Sequence, residues 1–290
     1  MPFDELRPLL FTVAYEILGS AADAEDVVQD SYLRWCEVDQ HTVANPRAYL
    51  ARIVTRQALN RLRTLSRRRE DYVGTWLPEP VRTEPDASTD ALLAESVSMA
   101  MLLVLETLKP AERAVFVLHE VFGYAHREIA DLVGKSEPTV RQIAHRAREH
   151  VRARRRRFEP PSDTTAEVVI RFLRAASTGD VSTLLDLLAP DVVHVSDGGG
   201  KVRAARRPVV GADLVARFVT KAASRTVASR VEITTVNALP AVLCHAGEDL
   251  DYVLLFEIAD GLVERLYAVR NPEKLRTATE VRALSTGRSE

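Results

Sequence analysis

Cysteine is scarce in this chain: Cys36 and Cys244 are the two thiols among 290 residues, and they lie far apart. This spacing gives neither a metal-binding pattern nor a framework of disulfides. The first residues lack the basic and apolar segments of a secretory signal peptide, and no apolar run approaches the ~20 residues that span a bilayer. The sequence therefore predicts a reduced, cytoplasmic protein with no metal, no other cofactor and no membrane partner.

Net charge is also small, at −2, but the arginines are concentrated in two blocks. Residues 47–69 contain eight arginines and no acid, and residues 141–157 contain eight more with one acid, Glu149. Basic blocks in a chain of nearly neutral charge are typical of a protein that contacts phosphate at two separate places. The alternative for any single arginine is a solvated helix face.

The second basic block begins within the pattern of a helix-turn-helix. A short amphipathic helix over 127–133 ends at Gly134, where the backbone must turn left-handed, and the next helix follows Ser136 with Pro138 in its first turn. Its outer face is polar and basic, as in a recognition helix that enters the major groove. The candidate DNA-contacting residues are Arg127, Thr139, Arg141, Gln142, His145 and Arg146. A small helical hairpin with a basic outer face is the alternative.

The pattern of apolar residues, prolines and turns divides the chain into successive parts. These are a helical part (1–71), a linker (72–90), a second helical part (91–158), a short linker (159–163), a mixed part (164–284) and a tail (285–290). In the mixed part, helices precede strands with turns at Ala246-Gly247 and Asp260-Gly261, which predicts an α+β domain. The first linker carries Tyr72, Trp76 and Leu77, and such large apolar side chains suggest that it docks on something.

Two details of the helical parts are specific enough to be checked. The second helix of the first part is predicted to bury a stripe made of Ala24, Val27, Val28, Tyr32, Leu33 and Trp35. The second part is predicted to begin with one helix over 92–108 and another over 110–122, before the helix-turn-helix.

Several stretches carry a resemblance to a known family. DAEDVVQD at 23–30, NPRAYLARIV at 45–54 and TVRQIAHRAR at 139–148 resemble, in this order, parts of region 2 and region 4 of an extracytoplasmic-function (group IV) sigma factor. YVGTWLPEP at 72–80, DGGGK at 197–201 and NPEKL at 271–275 resemble three signatures of a subfamily in which a SnoaL-like domain is fused to the sigma half.

The resemblance implies a multidomain fold: two all-α sigma domains, a region 2 bundle and a helix-turn-helix region 4, followed by an α+β SnoaL-like cone. It implies a non-enzymatic transcription initiation factor whose partners are core RNA polymerase and promoter DNA. The fused domain would regulate in cis, without a separate membrane-bound anti-sigma factor. The cone leaves room for an unknown small-molecule ligand.

The resemblance also assigns roles to residues. Core polymerase would bind Asp23, Asp26, Gln29 and Asp30. The −10 element would meet Asn45, Arg56, Asn60, Arg61 and Arg63, beside a loop at 39–45 that suits a trapped, unstacked base. The −35 element would be read by Arg141, Gln142, His145 and Arg146. The residues of the regulatory contact would be Tyr72, Gly74, Trp76, Leu77, Pro78, Glu79, Pro80, Asp197, Gly198, Gly199, Gly200, Lys201, Asn271, Pro272, Glu273, Lys274 and Leu275.

Two other functions stay open at this point. A ligand-responsive helix-turn-helix regulator would use the same hairpin without the first basic domain. A SnoaL-like cyclase or isomerase fused to a DNA-binding module would need a proton-transfer pair in the cone. Asp191 and His194 are near each other in sequence, but strand alternation sends them to opposite faces, and Asp197 lies in the glycine loop. The remaining candidates, His245, Asp251 and Tyr252, form no recognisable triad.

Overall fold

The computed structural model describes residues 3–69, 71–83, 91–154, 163–226 and 229–287, with backbone alone at 66–69 and 163–164. The described residues fall into two compact units. The first unit lies within Met1–Asp71, Ser88–Arg157 and Arg282–Glu290, and the second within Tyr72–Ala87 and Phe158–Val281. No helix in the described ranges is both long and apolar enough to cross a membrane.

The first unit opens with a helical bundle. Its elements are α1 (Phe3–Leu18), α2 (Ala21–Cys36), a 3-10 turn (Gln40–Thr42) and α3 (Pro46–Arg69). Local capping sets two helix starts: Ser20 Oγ accepts the Asp23 N–H at 3.1 Å, and Asn45 Oδ1 accepts the Ala48 N–H at 3.0 Å. Helix α1 packs against both α2 and α3 and buries most of its length.

The buried stripe predicted for α2 is correct in part. Val27, Val28 and Trp35 are buried, but Tyr32 and Leu33 are 45% and 55% exposed. The prediction was wrong for these two because a helix that packs on one side buries a narrow stripe, and they fall beside it. The surface of α2 therefore carries two large apolar side chains.

The second half of the unit contains shorter helices than the sequence predicts. They are α4 (Ala91–Ser96), α5 (Met99–Glu106), α6 (Pro110–Phe116), a π-helical turn (Val117–Val121), α7 (His126–Val133) and α8 (Glu137–Arg152). The single helix expected over 92–108 is interrupted because Ser98 Oγ accepts the Met101 N–H at 3.2 Å and starts a new helix. The turn between α7 and α8 is as predicted, with Gly134 at φ +67°.

A buried polar cluster joins the two halves of this unit. Glu16 of α1 accepts a hydrogen bond from Ser96 Oγ at 2.7 Å, and Arg113 of α6 donates to the Glu16 carbonyl oxygen at 2.8 Å. Arg113 also pairs with Glu106 at 2.6 Å. Burial raises the pKa of Glu16 to about 8 and lowers the pKa of Arg113 to about 10.

The second unit is an α+β domain. Its elements are α9 (Asp163–Thr178), α10 (Val181–Leu187), β1 (Leu188–Asp197), β2 (Val209–Val210), α11 (Ala212–Ala223), β3 (Arg230–Val236), β4 (Leu239–Ala246), β5 (Asp249–Ala259), β6 (Leu262–Val269) and α12 (Pro272–Leu275). The described strands form one sheet in the order β2-β1-β6-β5-β4-β3, in which β1 and β6 are parallel and the other pairs are antiparallel. The core of this unit contains side chains of α9, α10 and α11 together with side chains of the sheet.

Two boundaries differ from the division predicted from the sequence. The described part of the first linker, 72–83, is not a free tether: Leu77 and Val81 are fully buried within the second unit. Burial of its apolar side chains explains why this proline-rich segment is ordered. The tail predicted at 285–290 begins earlier, because Arg282 pairs with Glu25 and belongs to the first unit.

Candidate nucleic-acid interface

Helix α8 packs against the core through one face only, and its other face is exposed. Its inner side buries Val140, Ile143, Ala144, Ala147 and Val151. All six candidates of the helix-turn-helix are exposed, namely Arg127, Thr139, Arg141, Gln142, His145 and Arg146. A helix anchored on one side with long polar side chains on the other can enter a major groove without unfolding.

The arginines of this helix are not equivalent. Arg148 donates to Glu120 Oε1 through Nε at 3.0 Å and a terminal nitrogen at 2.6 Å, which makes it a structural residue. Arg141 pairs with Glu137 one turn earlier, but its side chain is 66% exposed. The arginine-rich end at 152–157 continues beyond the described residues, which stop at 154.

The second basic surface lies on α3. Arg56, Asn60 and Arg63 are exposed, and Arg63 donates to Asn60 Oδ1 at 3.3 Å. Together with Arg34 and Arg52 they line a groove of about 650 Å³, whose other wall is the end of α7 at 131–134. The groove concentrates positive charge, which favours a polyanion.

Arg61 differs from its neighbours on α3. It donates to Asp23 Oδ1 at 2.6 Å and to Asp26 Oδ2 at 2.7 Å, so that it bridges α3 and α2. The sequence had placed these three side chains in two separate sites, whereas the structure brings them into one ion-paired group. The single guanidinium compensates one of the two carboxylate charges, so the group keeps one negative charge, with the Asp26 side chain 57% exposed. Gln29 and Asp30 also stay exposed on α2.

Asn45 has a structural part that the sequence did not reveal. Its side chain caps α3, as described above, and the same residue lines a second cavity of about 520 Å³. Residues 42–45 form one side of that cavity, together with Tyr49 and Arg52, and Tyr124 and Leu132 contribute the opposite side. A cavity therefore lies beside the 39–45 loop, and its use as a pocket for an unstacked base stays a prediction.

In the second unit, the three signature segments converge on one buried ion pair. Lys274 Nζ lies 2.7 Å from Asp197 Oδ2, and it also donates to the Leu77 carbonyl oxygen at 2.5 Å. The Leu77 N–H donates to the same carboxylate oxygen at 2.9 Å. We call this group the Lys274 cluster; it comprises Tyr72, Trp76, Leu77, Asp197, Asn271 and Lys274.

Aromatic rings complete the cluster. Lys274 Nζ lies 4.2 Å from the ring centroid of Trp76 and 4.8 Å from that of Tyr72. The Tyr72 hydroxyl donates to Asp197 Oδ1 at 2.5 Å and accepts from Asn271 Nδ2 at 2.9 Å. Burial, followed by the hydrogen bond to Asp197, raises the pKa of Tyr72. A lysine enclosed by a carboxylate, a carbonyl and two ring faces is strongly held.

The glycine loop fits closely around this cluster. Gly199 has φ +59°, its N–H donates to Asp197 Oδ1 at 3.0 Å, and a Cβ there would lie 2.7 Å from Asn271 Cγ. Gly200 has φ +70° and approaches the Val73 side chain. Only glycine combines these backbone angles with such close contacts.

The remaining signature residues surround the cluster. Lys201 pairs with Glu273 at the surface. Gly198, Leu275, Pro78 and Pro80 are buried, Glu79 is half-buried, and Gly74 and Pro272 are exposed.

The proton-transfer candidates do not meet. Asp191 is exposed whereas His194 is 4% exposed, in agreement with the predicted alternation. Asp197 is committed to the Lys274 cluster, and Asp251 pairs with Arg270 at 3.0 Å. Cys244 and Tyr252 contact each other, and burial raises the pKa of both groups.

Comparison with known proteins supplies the family context. Models of sigma-70 region 2 and sigma-70 region 4 match residues 3–68 and 98–151. The chain is similar to the ECF RNA polymerase sigma factor SigJ of Mycobacterium tuberculosis, with 39% identity over 99% of this chain and 96% of that protein. It is also similar to the probable ECF RNA polymerase sigma factor SigI of the same species, with 31% identity over 93% of this chain and 92% of that one.

A solved structure extends the similarity to the fold. The crystal structure of M. tuberculosis SigJ covers 95% of this chain and 98% of its own, with a TM-score of 0.76 and 36% identity. The fold class predicted from the sequence, helical sigma domains followed by an α+β domain, is confirmed.

Proposed function

The chain belongs to the extracytoplasmic-function RNA polymerase sigma factors. We propose that separate surfaces of it bind the −35 element, the −10 element and core RNA polymerase during promoter-directed initiation. The family is one of initiation factors that act with core RNA polymerase on promoter DNA, and its members are not enzymes. The finer assignments below rest on the exposure and contacts of individual side chains.

The −35 element is read by the exposed face of α8. Arginine suits the guanine O6 and N7 pair and glutamine suits the adenine N6 and N7 pair, so Arg141, Gln142 and Arg146 can read base edges. Arg148 holds α8 to the π-helical turn through Glu120 and takes no part in readout.

The −10 element is held by the basic groove on α3. Arg56, Asn60 and Arg63 supply the contacts, and the cavity beside the 39–45 loop takes an unstacked base. Asn45 positions the start of α3, and Arg61 fixes α3 to α2 without contacting DNA. Since α7 forms one wall of both cavities, promoter DNA enters only after α7 moves away from α3.

Core RNA polymerase is bound by the exposed surface of α2. Gln29 and Asp30 lie near the exposed Tyr32 and Leu33, which gives a patch with an apolar centre and polar surroundings. Such a patch is typical of a protein interface. Asp23 and Asp26 contribute less than the sequence suggested because both pair with Arg61, which compensates one of their two charges.

The C-terminal domain regulates the sigma half in cis through the Lys274 cluster. The observation that carries this proposal is the buried Asp197–Lys274 pair, which binds the Leu77 backbone and so holds the first part of the 72–83 segment. These residues lie in the connection between α3 and α4, so the cluster determines how much of this connection is free to extend. That no separate membrane-bound anti-sigma factor acts on the chain stays a prediction.

Reconstituted transcription first tests whether the chain acts as a sigma factor. The full chain is mixed with core RNA polymerase and a pool of genomic promoter fragments, and the fragments that initiate are identified. We expect specific initiation that core polymerase alone does not give. The absence of core binding, with duplex DNA still bound, would instead indicate an ordinary helix-turn-helix regulator.

The regulatory part is tested on the fragments so found. The Trp76→Ala variant removes a ring that the connecting segment contributes to the Lys274 cluster. The Lys201→Met variant removes only the exposed pair with Glu273. We expect the first variant to change transcript yield several-fold at equal core affinity and the second to leave it unchanged. Equal transcript yields from both variants and the unsubstituted chain would contradict the regulatory assignment. The sigma assignment would not be affected.

A further inference from the structure

The second unit contains a cavity that promoter recognition does not use. It has a volume of about 560 Å³ and lies between α9, α11 and the sheet. Its walls are mainly apolar, with Phe172, Phe218, Val219 and Leu254 among the lining side chains. Protein interiors are otherwise close-packed, and apolar cavities of roughly 300–1,000 Å³ with a few polar groups are typical of small-molecule sites.

The histidine, cysteine and tyrosine side chains that line the cavity carry no charge at neutral pH. His194 is 4% exposed, burial lowers its pKa to about 4, and its Nδ1 lies 3.3 Å from Ser196 Oγ. Its ring lies 4.7 Å from that of Phe218. Burial raises the pKa of Tyr252 and of Cys244, which keeps both groups protonated. The interior therefore suits an apolar body and offers no counter-ion.

Positive charge is found instead among the arginines that line the cavity. These are Arg174 and Arg203, which are exposed, and Arg270, which is half-buried; no acid is among the described lining residues. Arg270 donates to Asp251 and to the Arg203 carbonyl oxygen. Its Nε is buried and makes no hydrogen bond to any described residue. An anionic group at this position would gain a donor from Arg270, whose charge is paired with Asp251, and the positive field of Arg174 and Arg203.

We propose that this cavity binds a free amphipathic organic acid, with its apolar chain or ring among the phenylalanines and its carboxylate at the arginines. The site lies within the second unit and involves neither the DNA-contacting faces nor the Lys274 cluster. It therefore goes beyond the proposed function, and binding can be measured without polymerase or promoter. A failure to bind such an acid would not affect the sigma assignment.

Two probes with the same chain and opposite head charge test the chemistry. Decanoate and decyltrimethylammonium are titrated below their micelle concentrations into the full chain by isothermal calorimetry. We expect decanoate to saturate one site per chain and the cation to bind at least about tenfold more weakly, because the arginines attract one head and repel the other. No saturable decanoate binding, or equal binding of both probes, would overturn the proposal.

Three variants locate the site. Arg203→Glu reverses a lining charge, Ala268→Leu fills part of the cavity, and Arg207→Glu reverses an exposed charge in the same loop that does not line the cavity. We expect a loss of about tenfold in decanoate affinity for the first two and none for the third. If Ala268→Leu does not fold, as judged by circular dichroism, the two arginine variants decide. Equal affinities for Arg203→Glu and Arg207→Glu would show that decanoate binds elsewhere, which contradicts the proposal.

Discussion

Lys274 Nζ lies 2.7 Å from Asp197 Oδ2, and the two side chains are 7% and 0% exposed. Removing one partner of a buried ion pair leaves the other charge buried without a partner, which lowers stability by about 3–5 kcal/mol. We therefore expect Lys274→Met to lower the free energy of unfolding of the second unit by that amount. Urea titration followed by Trp76 fluorescence, in a Trp35→Phe background, measures it.

The same pair offers an internal control. Adding Asp197→Asn to Lys274→Met removes the unpaired carboxylate charge. The double variant should therefore lose less stability than the sum of the losses of the two single variants. Lys201→Met breaks the exposed pair with Glu273 and should barely move the urea midpoint. Additive losses in the double variant would argue against a coupled pair.

A second prediction concerns pH and the buried Glu16. Its pKa is raised by burial from 4.5 to about 8, so the folded state binds more protons than the unfolded state between these values. The stability of the first unit should consequently be highest near or below pH 4.5, as far as Glu16 contributes, and fall as pH rises through 8.

Glu16→Gln keeps the shape without the titration, so its stability relative to the unsubstituted chain should improve steadily from pH 5 to pH 8. Denaturant midpoints across this range measure the difference. Glu149→Gln, at an exposed position on α8, should show no such trend. A difference between Glu16→Gln and the unsubstituted chain that is constant across pH would mean that Glu16 is ionised throughout.

A third prediction separates readout from support on α8. Gln142→Ala or Arg146→Ala should weaken holoenzyme binding to the selected promoter by about 1–3 kcal/mol, with little effect on unrelated DNA, because base contacts carry the specificity. Arg148→Ala should instead lower thermal stability, since its guanidinium holds Glu120. Fluorescence anisotropy at fixed salt and thermal melts distinguish the two. A promoter preference that survives both Gln142→Ala and Arg146→Ala would remove α8 from readout.

A fourth prediction compares two arginines of α3. Arg56→Ala should reduce the slope of log affinity against log salt by about 1, because one phosphate contact and its released counterion are lost. Arg61→Ala should leave the slope unchanged and loosen the α2–α3 contact, because its charge is taken up by Asp23 and Asp26. Promoter binding of each holoenzyme is measured across a range of salt concentrations. A drop in slope for Arg61→Ala would restore it to the DNA surface.

Local signals explain why much of the fold could be predicted from the sequence. Gly134 ends α7 with a positive φ, and Asp260-Gly261 closes the β5–β6 hairpin with φ of +50° and +77°. The tight turn at Asn237-Ala238 has no glycine and was not predicted. Asn237 is held there by two hydrogen bonds with the Val81 backbone, and Ala238 adopts φ +54° because this distant segment stabilises the turn.

The sequence by itself determined the order of the domains, the helix-turn-helix, the two arginine blocks and the family resemblance, because these depend on neighbouring residues. Only the tertiary structure decided which charges remain available. Arg61 and Arg148 look like their neighbours in sequence, yet acids on other elements neutralise them. Likewise, the three signature segments become one cluster because Asp197 and Lys274, buried together, require each other as partners.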